Sequence, residues 1–92
     1  MANTQLGRVV AAEEVLSREI QNETVLLDLK TEHYFGLDAV GSRIWQLIGD
    51  GVSVQVMIAV LAAEYDVTDE TLTRDLERFL GDLAEAGLVS TA

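Results

Sequence analysis

The sequence predicts an α+β domain, a three-stranded antiparallel sheet followed by three helices. Three observations carry this expectation. Before residue 38 the apolar residues fall in short runs with strand periodicity, separated by two-residue polar links. After Asp38 the period changes from two to about 3.6. Each of the three helical stretches that follow is preceded by a residue able to cap it: Asp38, Ser53 and Thr68.

Residues 1–14 carry little periodic signal and stay open between an N-terminal arm and a first strand; residues 15–92 read as one domain. The first strand segment is Val15–Ile20, followed by Gln21 and Asn22; the second is Glu23–Leu29, followed by Lys30 and Thr31; the third is Glu32–Leu37. In the second, Val25, Leu27 and Leu29 share one face of the pleat. In the third, His33, Phe35 and Leu37 do, with Phe35 and Leu37 toward the core. Such short links favour an antiparallel meander. Val40, Ile44, Leu47 and Ile48 then form a helical stripe flanked by Trp45, closed by Gly49-Asp50-Gly51. A second helix runs from Ser53 through Val56, Met57, Val60 and Leu61 to Tyr65-Asp66. Thr68 opens a third, where Asp69 and Glu70 suit the positive end of the helix dipole. Its apolar stripe is Leu72, Leu76, Phe79, Leu80 and Leu83, and Gly87 stops it before Leu88 and Val89.

Composition narrows the function. The chain has 92 residues, no cysteine, no proline, one histidine and a formal charge of −10, with 49% hydrophobic residues. One small core is within reach of such a chain. The absence of thiols excludes a disulfide framework, a thiolate zinc site and a cysteine nucleophile. Six basic against sixteen acidic residues repel polyanions, so neither nucleic acid nor an anionic membrane is an expected partner. The N-terminal residues lack the basic and apolar regions of a secretory signal, and no apolar run approaches a membrane span, so a soluble, cytoplasmic protein is expected.

No cofactor, metal or catalytic residue is assigned from the sequence. Asp28, Glu32 and His33 lie near one hairpin, but strand alternation does not gather them on one face, and His33 reads as a half-buried strand residue bonded to backbone. Trp45 and Tyr65 read as core or core-edge residues. The seven glycines lack the spacing of a phosphate loop. An acyl carrier protein would need a serine after an aspartate, whereas Ser17, Ser42, Ser53 and Ser90 follow Leu16, Gly41, Val52 and Val89. The second and third helices could form a helix-turn-helix, but Arg74 and Arg78 stand there among Glu70, Asp75, Glu77, Asp82 and Glu85, which would meet phosphates with carboxylates. A DNA-binding regulator and a structural dimerisation module are the two alternatives carried forward.

A three-stranded meander leaves an unpaired edge able to take an extended peptide as a further strand. The third segment suits this, with Tyr34 alternating away from Phe35 and Leu37, and Gly36 leaving room for a visiting backbone. The N-terminal arm or a second copy of the chain could cover the same edge.

The run VLLDLKTEHYFGLDAVGSRIWQLIGDG, the helix end LAAEYDV and the stretch RDLERFLGDLAEAGLV together resemble the PqqD-like proteins, also called RiPP recognition elements, over roughly Val15 to Val89. The resemblance implies a winged helix-turn-helix in which the leader of a ribosomally made precursor peptide adds to the third strand against the third helix. It implies a non-enzymatic domain that presents the precursor to a radical SAM protein, a cyclase or a leader peptidase. Carried onto this chain, the peptide site is His33, Tyr34, Phe35, Gly36 and Leu37 on the strand, with Thr71, Leu72, Asp75, Arg78, Phe79 and Asp82 on the helix. Members serving pyrroloquinoline quinone synthesis usually carry a Pro-Glu pair in the strand region, which this proline-free chain lacks. The Tyr-Phe-Gly-Leu strand is more similar to stand-alone leader binders of lasso-peptide clusters. Oligomeric state is left open, a homodimer included.

Overall fold

The meander begins with a hairpin whose two turn residues, Gln21 and Asn22, both have positive φ (53° and 71°), as a tight type I′ connection requires. In the computed structural model, which describes residues 7–91, the order is β1 (Val9–Ala11), β2 (Val15–Ile20), β3 (Glu23–Asp28), β4 (His33–Leu37), α1 (Ala39–Gly49), α2 (Val54–Tyr65), α3 (Asp69–Glu85) and β5 (Val89–Thr91). The expected α+β architecture is present, with β2, β3 and β4 forming an antiparallel sheet in that order.

The register identifies the inner face. Thr24 lies opposite Leu37, Leu26 opposite Phe35 and Asp28 opposite His33. Thr24, Leu26, Asp28 and Leu37 are buried, so this face packs on the helices. Val25 and Leu27, grouped correctly by alternation, therefore face outward with Tyr34. Burying Asp28 is tolerable because its Oδ1 accepts the Lys30 N–H at 3.0 Å, and the connection closes with the Glu32 N–H on the Asp28 carbonyl at 2.6 Å.

All three expected N-caps are present: the Asp38, Ser53 and Thr68 side chains accept from the N–H of Gly41, Val56 and Thr71. At the end of α3 the Gly87 N–H reaches the Ala84 carbonyl and the Leu88 N–H reaches Leu83. Gly87 has φ 79°, and Leu83 and Leu88 are both buried, which together make a Schellman stop. α2 departs from the expected stripe: Val54, Met57 and Leu61 are buried while Val56 is exposed. Its residues are apolar almost all round, so periodicity could not select the face.

The sequence reading also lacked a second sheet. β1 pairs antiparallel with β5, matching Val9 to Thr91 and Ala11 to Val89. Val9 and Val89 join the single core that includes Leu26, Leu47, Met57, Leu61, Leu76, Leu80 and Leu88. Arg8 donates to the Gly51 carbonyl at 2.7 Å, and the Val54 N–H reaches the Gly7 carbonyl at 3.0 Å. Residues 7–11 are thus fastened to the helical end of the molecule and do not cover β4. Residues 1–6 of the arm lie outside the described residues. Among the described residues no helix is long and apolar enough to cross a membrane.

Candidate functional site

β4 is an edge strand. β3 occupies one side of it, and among the described residues no strand pairs with the other. Alternate N–H and C=O groups of residues 33–37 point to that side, where no described strand pairs with them; at the strand's ends the His33 N–H meets the Thr31 hydroxyl at 3.4 Å and the Leu37 carbonyl accepts from the Ser42 hydroxyl at 3.3 Å. Beside the edge runs an open crease of about 640 Å³ between β4, the start of α1, the end of α2 and α3.

The crease follows from three local choices. α3 carries Leu72 and Leu76 on its buried stripe, and Phe79, half-buried, extends that stripe to the surface. Asp38 ends β4 by capping α1, which brings Val40 and Ile44, one turn apart, to the opposite wall. Asp66, in the left-handed conformation at φ 54°, ends α2 and turns the chain so that Val67 lines the crease beside Tyr65, the last residue of that helix. Gly41 allows a close approach: a Cβ there would sit 3.2 Å from Phe79 Cζ and 3.3 Å from Asp38 Oδ1. Phe79 therefore packs on the first turn of α1 as well as walling the crease.

The structure brings together Gly36, Leu37, Thr71, Leu72, Asp75 and Phe79 of the residues chosen from the sequence. Gly36 is exposed with open space around its Cα, and Leu37 and Leu72 are buried at the floor. Thr71 is tied at the rim, its N–H and hydroxyl both meeting the Thr68 hydroxyl, at 3.2 and 3.0 Å. Arg78 and Asp82 are exposed on α3 but do not line the crease. Tyr34, 71% exposed, faces the outer side of the sheet. Phe35 is half-buried over the core, and its ring meets the His33 ring edge-on at 6.5 Å. His33 itself is exposed, a correction to the half-buried reading, because the chain emerges from the turn at this end of β4.

Sequence reasoning missed Val40, Ile44, Tyr65 and Val67 as walls of the site. Val40 and Ile44 were visible as a stripe and read as core. Tyr65 and Val67 depend on the turn at Asp66, which periodicity does not report.

The charged groups at the crease are Asp38 and Asp75. The Asp38 carboxylate is engaged at 2.8 Å by the Gly41 N–H, so Asp75 is the carboxylate offered at the rim. Backbone edge, apolar walls and one acidic rim group suit an extended peptide with alternate apolar side chains and a basic group nearby.

Comparison with known proteins gives two matches. The family described as Coenzyme PQQ synthesis protein D (PqqD) matches residues 23–89. A solved structure, TbiB1 in complex with the TbiA(beta) leader peptide, is 44% identical, covering 88% of this chain and 94% of that chain with a TM-score of 0.86. No curated protein matches.

Proposed function

The chain belongs to the PqqD family, and on that premise we propose that it binds the leader segment of a ribosomally synthesised precursor peptide and presents it to a peptide-modifying enzyme, without catalysing a reaction itself. The observation that carries the proposal is the free edge of β4 running beside an apolar crease, on a scaffold shared with a protein solved in complex with a leader peptide.

The leader docks as a fourth strand. Its backbone completes the ladder with residues 33–37, and every second side chain enters the crease against Leu72, Phe79, Val40 and Ile44. A disordered leader loses chain entropy on docking, and burial of those apolar side chains offsets that loss. Micromolar affinity corresponds to about 8 kcal/mol net, a reachable sum for a short ladder plus two or three buried side chains. Asp75 favours leaders with a basic group near the rim. The acceptor is a radical SAM protein, a cyclase or a leader peptidase, which supplies the chemistry.

Strand addition is tested with synthetic leaders N-methylated at alternate residues. Loss of binding for one parity and retention for the other is expected, because only alternate N–H groups face β4. Equal binding by both sets would contradict strand addition while leaving leader binding itself in place.

A further inference from the structure

The mouth of the crease is built from a weakly anchored part of the chain. Leu61 and Leu72 are both buried, but every residue from 63 to 71 between them is exposed. This stretch holds the end of α2, the left-handed turn at Asp66 and the first residues of α3. Its own bonds are local: the Asp66 N–H reaches the Ala62 carbonyl at 3.0 Å, and Thr71 bonds to Thr68. With no buried side chain and only local bonds, the segment has little of its own to fix its position on the molecule.

One contact supplies what burial does not. Among the described residues, the hydrogen bonds that join residues 63–71 to a distant part of the chain are those of Glu64 with Arg43. Arg43 is half-buried on α1, and its guanidinium is engaged throughout: Nε and Nη2 donate to the Glu64 carboxylate, and Nη1 donates to Gln46 Oε1 at 3.1 Å. A forked contact of this kind fixes direction as well as distance. Neither Arg43 nor Glu64 lines the crease, but Tyr65, the next residue, does. Tyr65 also borders a second, smaller hollow of about 230 Å³, shared with Asn22, Ser42, Arg43 and Gln46.

We propose that Arg43 is a positioning residue for the leader: by gripping Glu64 it holds the Tyr65 ring as a wall of the crease and keeps it out of the smaller hollow. The inference rests on the leader-binding reading above. Without the grip the ring divides its time between the two hollows. A docking leader must then also order residues 63–71, and that loss of freedom lowers its affinity.

Fluorescence anisotropy on the full chain tests this, with the TbiA(beta) leader and the leader of a precursor encoded beside the gene as probes. Arg43→Gln and Glu64→Gln are each expected to raise Kd about fivefold, and the two together no further. Arg43→Lys keeps the charge without the fork and is expected to fall between Arg43→Gln and the wild type. The pair lies at the surface, so the melting temperature is expected to drop by only about 3 °C. Tyr65→Ala is expected to weaken binding by itself, and in that background Arg43→Gln is expected to add nothing. Amide exchange of the peptide-free protein gives a readout independent of any leader: Arg43→Gln is expected to speed exchange at residues 63–71 and to leave Leu76 and Leu80 unchanged. Wild-type affinity in Arg43→Gln overturns the proposal, as does a loss that persists undiminished beside Tyr65→Ala, or unchanged exchange at residues 63–71. A wild type that binds neither peptide overturns the leader-binding reading itself, and this inference with it.

Discussion

Gly41 is the residue through which the crease is most finely adjustable. Gly41→Ala would gain up to about 1 kcal/mol of helix propensity, but the new methyl meets Phe79 at 3.2–3.3 Å and the capping carboxylate of Asp38. Near-cancellation in stability is expected, with the ring displaced into the crease and leader affinity reduced several-fold. Thermal melting and fluorescence anisotropy with a labelled leader separate the two effects. Phe79→Ala removes a wall that is also half core, so it is expected to lose leader binding and about 2 kcal/mol of stability, below the cost of a fully buried ring. Asp75 is exposed, so Asp75→Arg is expected to leave the urea midpoint almost unchanged. It is expected to weaken a basic leader roughly tenfold at low salt and less at high salt. A folded Asp75→Arg protein with wild-type affinity would remove that carboxylate from the site.

At the scale of elements, the crease depends on how α2 is held against α1. The Arg43 guanidinium on α1 donates to both carboxylate oxygens of Glu64 on α2, at 2.8–3.2 Å. The guanidinium hydrogen bond holds the Glu64 carboxyl below its ordinary range, and the same bond raises Arg43. A carboxyl with a depressed folded-state pKa stabilises the fold above the ordinary carboxylate range and loses that contribution as pH falls through the depressed value. Arg43→Gln is therefore expected to move the Glu64 titration upward, read by NMR. Its stability deficit against the wild type is expected to shrink in acid. Elements were legible to different degrees for physical reasons. The caps Asp38, Ser53 and Thr68 and the stop at Gly87 are local chemistry, and all four are where the sequence put them. β1 and β5 are three residues each, too short for alternation to register, and they pair opposite ends of the chain. The leucine stripe of α3 was readable. The flank that lines the crease was not, because α1 and the turn at Asp66 close the crease over Thr71, Asp75 and Phe79, away from Arg78 and Asp82.

At the scale of the whole molecule, one small core serves two surfaces. The inner face of the sheet packs on the helices, and among the described residues no strand pairs with the outer edge of β4, the N-terminal strand pairing with the C-terminal one instead. Cores of this size tolerate little loss, so variants of the rim are more informative than variants of the floor. The net charge of −10 gives the molecule a long-range preference for basic peptides, which is expected to appear as faster association at low ionic strength. The central claim, that an extended leader adds to β4 over the crease, is met most directly by an NMR titration of labelled protein. The ligands are the leader of a precursor encoded beside its gene and the TbiA(beta) leader. Shift changes concentrated in residues 33–37, Val40, Ile44, Tyr65 and 71–79, with new protection of alternate β4 amides, are the expected result. Shifts confined to another surface, or none with either peptide at large excess, would contradict it.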